Sequence, residues 1–323
     1  MHVCSPTLAD KLPVVLVTGF LGSGKTTLIS RLLRHPELGE TAVIVNELGE
    51  VAIDHHLLRR VDERTVVLDS GCVCCSLRGD LADELRDLLS RRTRGELPPF
   101  ARVIVETTGL ADPAPIVYTL LSEPVVRHHY RLESVVTTVD GTNGLREPES
   151  VKQAVVADRL VVTKTDLADR AAVGAIKAHL ARINPVAPII EGRFGDVEPA
   201  QLEGAPARDL RELSVQEHAH RDDVHALALF LDDELDWTSF GIWLTMLLQA
   251  HGQDILRVKG LLNVGDAGPV LLNGVQHAVH PPVHLDSWPD EDHRSRLVFI
   301  GRGFEREELE ASLRTFNRAA GDH

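Results

Sequence analysis

Long apolar runs, an excess of positive charge and cysteine are what this 323-residue chain has least of. No stretch approaches the ~20 apolar residues that crossing a bilayer requires, and residues 1–11 hold no apolar run of the length a secretion signal needs. The expectation is therefore a cytoplasmic protein with no membrane partner. The formal net charge is -14, from 34 Lys and Arg against 48 Asp and Glu, which argues against a nucleic-acid surface because phosphate backbones are bound mainly by surplus Lys and Arg. Any nucleotide would be a small ligand held by one local basic loop. Cysteine occurs four times, and in a reducing compartment such residues read as metal ligands or redox groups before they read as disulfides. With 43% hydrophobic and 25% charged residues the composition is that of an ordinary globular protein, and the length suggests about two domains.

The most informative stretch is Val14-Val-Leu-Val-Thr-Gly-Phe-Leu-Gly-Ser-Gly-Lys-Thr-Thr-Leu28. An apolar strand enters a glycine-rich turn and leaves it into a helix, and residues 19–26 fit G-x-x-x-x-G-K-[ST] at every defined position. The pattern makes a phosphate-binding loop. Gly19, Gly22 and Gly24 let successive backbone N–H groups, with those of Ser23 and Thr27, curl around an anion, the helix directs its positive end at that anion, and Lys25 adds a full charge. Thr26 then presents a hydroxyl to Mg²⁺.

Downstream, the sequence alternates apolar strands with helical stripes. A helix over about 24–34 carries Leu28, Leu32 and Leu33 on one face, and strands are expected over 41–46, 65–68, 102–106, 135–140, 159–162 and 187–190. Helices are expected over 77–92, with Leu81, Leu85, Leu88 and Leu89 as its core stripe, and over 171–183. Such alternation predicts an α/β domain with a mostly parallel sheet. After the second strand, Asn46-Glu-Leu-Gly-Glu-Val-Ala-Ile-Asp54 occupies the place of a GTPase switch, where a carboxylate reaches Mg²⁺, a water or a second metal; a solvated acidic loop is the alternative. Cys72-Val-Cys74-Cys75 follows the third strand. Three thiolates this close repel one another unless protonated or bound to a cation, so a soft metal such as Zn²⁺ is the expected occupant, with redox sensing as the alternative. Adjacent Cys74 and Cys75 are badly placed to bridge each other. Glu106 ends the fourth strand before Thr107-Thr-Gly109, the position at which phosphate-loop enzymes hold the Mg²⁺ shell and sense the γ-phosphate, so Lys25, Thr26 and Glu106 are the catalytic candidates and Gly109 a nucleotide contact. Thr163-Lys-Thr-Asp166 ends the sixth strand. In GTPases the matching turn is usually Asn-Lys-x-Asp, whose Asp accepts from two guanine N–H groups that adenine does not offer while the Lys stem lies along the base. Lys164 and Asp166 are therefore base-recognition candidates, and Thr163 alters one supporting hydrogen bond.

These blocks resemble the CobW-type GTPases, a family of metallochaperones related to cobalamin-synthesis, urease and hydrogenase maturation factors. The resemblance rests on Gly19-Phe-Leu-Gly-Ser-Gly-Lys-Thr-Thr27, Asn46-Glu-Leu-Gly-Glu50, Gly71-Cys-Val-Cys-Cys75, Glu106-Thr-Thr-Gly-Leu-Ala-Asp-Pro113 and Thr163-Lys-Thr-Asp166, in the family's order. It implies a domain that binds and hydrolyses GTP with Mg²⁺, and a transition-metal site built from Cys72, Cys74, Cys75 and Glu50. Zn²⁺ is the default metal, with Co²⁺ or Fe²⁺ as alternatives. Family members often carry a histidine run near His218, His220 and His225; here these read as surface residues or as metal recruiters.

Domain boundaries are expected at 12–192 for the nucleotide domain, 193–222 for a Gly-, Pro- and charge-rich linker and 223–319 for a smaller α+β domain. The latter should hold strands over 224–231, 255–264, 270–272, 275–279 and 296–300, a helix capped by Asp236 and a final helix over 305–317. It resembles the family's C-terminal domain through Leu256-Arg-Val-Lys-Gly-Leu-Leu-Asn263 and is expected to dock a client metalloprotein or a second copy of the chain. An ATP-dependent small-molecule kinase would share the phosphate loop without Lys164 and Asp166 or the cysteines. A metal-storage or redox-sensing protein would leave the nucleotide loop without a purpose.

Overall fold

The computed structural model describes residues 10–45, 66–69, 77–202, 224–265 and 268–321. Glu50, Cys72, Cys74, Cys75, His218 and His220 lie outside them. The chain divides into two compact units, Met1–Ala178 with Ile189–Gly204, and His179–Pro188 with Ala205–His323.

In chain order the first elements are β1 (Leu12–Gly19), α1 (Lys25–Leu32), a 3-10 turn (Pro36–Leu38), β2 (Thr41–Val45), β3 (Val66–Asp69), α2 (Leu77–Thr93), β4 (Arg102–Glu106), α3 (Pro113–Ser122), α4 (Pro124–His129), β5 (Tyr130–Asp140), α5 (Pro148–Val156), β6 (Arg159–Thr163), α6 (Arg170–Ile183), β7 (Ile189–Gly192) and α7 (Pro199–Leu202). The seven strands form one sheet in the order β3-β2-β4-β1-β5-β6-β7, and each neighbouring pair is parallel. Parallel strands need crossovers that cover the sheet faces, which is why β2 and β6 are buried along their whole length and read as apolar runs rather than alternating ones. On one face Leu28, Ile29 and Leu32 of α1 pack with Val17, Val43, Ile104, Val136 and Val161 from five strands. Each such fully buried side chain contributes roughly 1.5–3 kcal/mol. In α2, Leu81, Leu85 and Leu88 are buried as expected, but the stripe includes Ala82 while Leu89 is half-buried.

The register brings the carboxyl ends of the strands together. Glu106 pairs with Val17 on one side and Val45 on the other, Val45 pairs with Asp69, Gly19 with Thr138, and Thr163 with both Asp140 and Gly192. Ligands of open α/β sheets bind outside these ends. Three helices, α3, α4 and α5, lie in stretches for which the sequence predicts no element. Each opens on a proline, which reads locally as a breaker but suits the first helical turn, where its missing N–H has no partner to lose. Asp112 caps α3 by accepting from Ala114 N, and Glu123 caps α4 by accepting from Val125 N and Val126 N. Residues 193–202, at the start of the expected linker, contain the bridge between Arg193 and Asp196 and the helix α7, and their Val197 and Leu202 join the α1 core.

The remaining elements are β8 (His225–Leu231), α8 (Trp237–His251), β9 (Ile255–Asn263), β10 (Pro269–Val275), β11 (Ala278–Val279), β12 (Val283–His284), β13 (Ser295–Gly301) and α9 (Arg306–Gly321). They form an antiparallel sheet in the order β11-β10-β9-β13-β8, with β12 on β10. Phe240, Trp243, Leu244 and Leu248 of α8 and Leu309 and Leu313 of α9 pack onto Leu229, Val258, Leu262, Leu297 and Phe299. Asp236 caps α8 through Ser239 N at 2.7 Å, as the sequence predicts. The strand expected over 275–279 is interrupted, because Gln276 takes φ 50° and turns the chain so that Val275 pairs with Ala278. No helix among the described residues is long and apolar enough to cross a membrane.

Candidate functional site

β1 lies between β4 and β5, so the turn after Gly19 emerges amid the other strand ends. Gly24 caps α1 with φ 95° and ψ 21°, a left-handed conformation that a side chain would strain, and Leu28 N donates to its carbonyl at 2.9 Å to start the helix. The Lys25 ammonium, on a residue only 9% exposed, donates to Gly19 O at 2.9 Å and Phe20 O at 3.2 Å. Its charge is thus held against the turn itself rather than extended into solvent. Thr26 Oγ1 donates to Glu106 Oε1 at 2.7 Å, bringing together two residues 80 positions apart that the sequence assigns to one magnesium shell. Glu106 is 2% exposed.

Hydroxyl groups tie the neighbouring strand ends to this turn. Thr107 N donates to Val17 O at 3.0 Å and its Oγ1 to Thr18 Oγ1 at 2.9 Å. Ser23 and Thr138 share a hydroxyl pair at 2.6 Å. Thr163 Oγ1 donates to Ser23 O at 2.6 Å and is 3.2 Å from Val139 O, so the residue standing where Asn is usual in GTPases fastens the end of β6 to the phosphate loop. Gly109 lies so close to the loop that a Cβ there would sit 2.6 Å from Leu21 N.

In the turn after β6, Lys164 takes φ 53° and donates from Nζ to Asp140 Oδ2 at 2.9 Å. Asp140 also accepts from Thr142 N at 2.8 Å, Thr142 Oγ1 at 2.6 Å and Asn143 Nδ2 at 3.0 Å. Burial alone would raise its pKa, but the bonds from Thr142, Lys164 and Asn143 outweigh that and hold it well below the ordinary 3.8. It therefore keeps its charge, and its hold on Lys164, through any acidification that stays above the usual aspartate range. Asp166 Oδ1 faces Phe194 N at 3.4 Å, and Phe194 also takes a left-handed backbone, φ 54°, with its ring 65% exposed. Such backbone is uncommon outside glycine, and here it occurs in two turns that meet at Asp166. Asp140, Thr138 and Phe194 are absent from the sequence-level candidates. The signal for Asp140 was available in its place at a strand end before Gly141, the same logic that selects Glu106.

The residues assigned to the transition metal lie outside the described ones, but the strands that lead to them do not. β2 ends at Val45, which pairs with Glu106, and β3 ends at Asp69, which pairs with Val45 on the other side. Among the described residues no group of three or more His, Cys, Asp and Glu could hold a metal ion. His225 begins β8, with its ring 5.1 Å from that of Phe304.

This geometry can be set beside known proteins. Residues 13–191 match the CobW/HypB/UreG nucleotide-binding domain and residues 224–317 the cobalamin synthesis protein cobW C-terminal domain. The zinc chaperone YjiA of Escherichia coli K12 is 34% identical over 316 residues, covering 94% of this chain and 98% of its own. The zinc chaperone CobW of Pseudomonas aeruginosa PAO1 is 32% identical, covering 96% and 92%. A crystal structure of the Zn(II)-bound YjiA GTPase from E. coli matches with a TM-score of 0.70 at 31% identity, over 95% of this chain and 99% of that one. The chain belongs to the CobW/HypB/UreG family and carries that family's nucleotide-binding domain followed by the cobW C-terminal domain.

Proposed function

We propose that this protein binds and hydrolyses GTP and uses that cycle to deliver a transition metal, zinc foremost, to a client metalloprotein in the cytoplasm. The observation that carries the reading is the junction at the end of β1, where Lys25 is held on the loop and Thr26 is bonded to Glu106. In that reading the backbone at Gly19, Gly22, Ser23, Gly24 and Thr27 wraps the phosphates, Lys25 carries their charge, Gly109 reports the γ-phosphate, and Lys164 and Asp166 hold the guanine. The relatives named as zinc chaperones and as a GTPase support the same assignment. A hydroxyl and a carboxylate oxygen 2.7 Å apart are a hard donor pair that suits Mg²⁺, and Thr26 and Glu106 are the residues to hold it. When bound, that ion would neutralise charge on the phosphate oxygens.

Zinc is cargo, taken by Cys72, Cys74 and Cys75 with Glu50 as the oxygen ligand. Glu50 follows β2 and the cysteines follow β3, the two strands next to β4 on the side away from β1. The C-terminal domain docks the client or a second copy of the chain.

Guanine selectivity tests the nucleotide half of this reading. GTP should bind well ahead of ATP. Asp166→Ala should lower GTP affinity by about 10–100-fold while leaving ATP within about threefold, since only the guanine N–H pair loses its acceptor; a hydrogen bond to a charged group is worth about 1.5–3 kcal/mol. Competition of GTP and ATP against a fluorescent GDP reads both. Equal affinity of the unmodified protein for GTP and ATP would defeat the assignment.

A further inference from the structure

Gln153 takes no part in the reading above. It lies within α5, is 0% exposed, and donates from Nε2 to two main-chain carbonyls of the turn after β4, Gly109 O at 3.1 Å and Ala111 O at 3.0 Å. An amide NH₂ has two N–H groups, so both bonds form at once. Its own carbonyl accepts Thr137 Oγ1 at 2.8 Å, which ties that point of α5 to β5. Its Oε1 is buried and makes no hydrogen bond. A buried amide half of whose groups go unused is costly, and it is a poor choice for a site that needs only filling.

The turn it grips is also the one that touches the phosphate loop. Gly109 lies against Leu21, where a Cβ would clash with backbone, and Ala111 N closes the turn on Thr108 O at 3.1 Å. A cavity of about 150 Å³, lined by Phe20, Leu21, Asn143, Arg146, Ser150 and Gln153 among others, opens beside this contact. The turn is thus held against the loop by close backbone packing at Leu21, and the two bonds from Gln153 add directional restraint from the side of α5.

We propose that Gln153 is a positioning residue for GTP hydrolysis, holding residues 109–111 at the separation from the phosphate loop that lets the turn engage the γ-phosphate. The proposal rests on the GTPase reading given above. It assigns α5 the task of fixing the γ-phosphate side of the site, and it makes Gln153 matter to the triphosphate and not to the diphosphate, whose phosphates the loop of residues 19–26 holds by itself.

Two variants test it in the full-length chain alongside the parent. Gln153→Glu keeps the shape and removes the two N–H donors; Gln153→Leu removes the polar group altogether and suits a buried site. Each should hold GDP within about threefold of the parent, bind a non-hydrolysable GTP analogue about tenfold more weakly relative to GDP, and hydrolyse GTP on the order of 10²-fold more slowly in single turnover, the usual effect of a misplacement near 1 Å. The ratio of analogue to GDP affinity is the deciding readout, because a merely structural role would weaken both nucleotides together. Parent-like hydrolysis in both variants, proportional loss of GDP and analogue, or failure of both to fold would each overturn the proposal. A parent that neither binds nor hydrolyses GTP would overturn the underlying reading as well, and the parallel measurement tells the two failures apart.

Discussion

Replacing Lys25 with alanine is expected to abolish measurable GTP turnover. The ammonium is held by Gly19 O and Phe20 O of the glycine-rich turn, and α1 begins at this residue, so in the proposed reading its charge stands beside the phosphates that the turn wraps. Preorganised charge of this kind is where phosphoryl transfer gains most of its rate, and losing one such group costs about 10²–10³-fold in kcat. Intrinsic phosphate-loop GTPases already run at roughly 10⁻⁴–10⁻² s⁻¹ without a partner, so a further loss of that size takes the rate below most assays. Single-turnover phosphate release from Lys25→Ala checks this. Normal hydrolysis would place the chemistry elsewhere.

The second large effect concerns the cargo. The protein should hold one tightly bound Zn²⁺, and changing Cys74 and Cys75 together to serine should reduce the stoichiometry from one to none. Thiolates suit zinc, and apparent binding free energies for structural zinc in zinc-finger peptides reach about 10–16 kcal/mol, which a site stripped of two of its three sulfur ligands does not approach. Dialysis against a competing chelator, with metal counted per chain, reads the result. One zinc retained by the double variant would move the site away from Cys72, Cys74 and Cys75. Cobalt or iron could replace zinc in such a test, because affinity order alone does not decide selectivity.

Some of this architecture is legible in the sequence because its causes are local. The turn at residues 19–26 announces itself through glycine spacing, and the apolar runs of β2, β4 and β6 are buried throughout or nearly so, as parallel strands are. The bond between Thr26 and Glu106 spans 80 residues, yet it follows from strand order once Glu106 ends β4 and Thr26 opens the helix that follows the neighbouring β1. Other features depend on partners that no window of sequence contains. The helices α3 and α5 open on Pro113 and Pro148, and reading proline as a stop hides them. β5 begins at Tyr130, five residues before its apolar stretch, because Tyr130, Arg131 and Leu132 pair with the start of β1 despite a charged pattern. Asp140 looks like an ordinary strand-end carboxylate until Lys164, Thr142 and Asn143 converge on it. A glutamine within a helix carries no signal at all, and Gln153 becomes visible only when the fold sets it against Gly109 and Ala111.

The central proposal is that nucleotide state controls the metal, and it rests on which strands the ligands follow in the chain. Glu50 follows β2, the cysteines follow β3 and Glu106 ends β4, three strands adjacent in the order β3-β2-β4. A segment that Mg²⁺ and the γ-phosphate hold in GTP and release in GDP would carry Glu50 with it and change the metal site by one ligand. Linkage then requires that if GTP raises zinc affinity, zinc raises GTP affinity by the same factor, with couplings typically about 1–3 kcal/mol, or roughly 5–150-fold. The most direct measurement is a zinc titration of the protein bound to GDP and to a non-hydrolysable GTP analogue, at equal Mg²⁺. The account predicts zinc affinities that differ by a factor in that range, with the tighter binding in the GTP state. Identical zinc affinity in the two states would leave a GTPase and a metal site with no mechanism joining them.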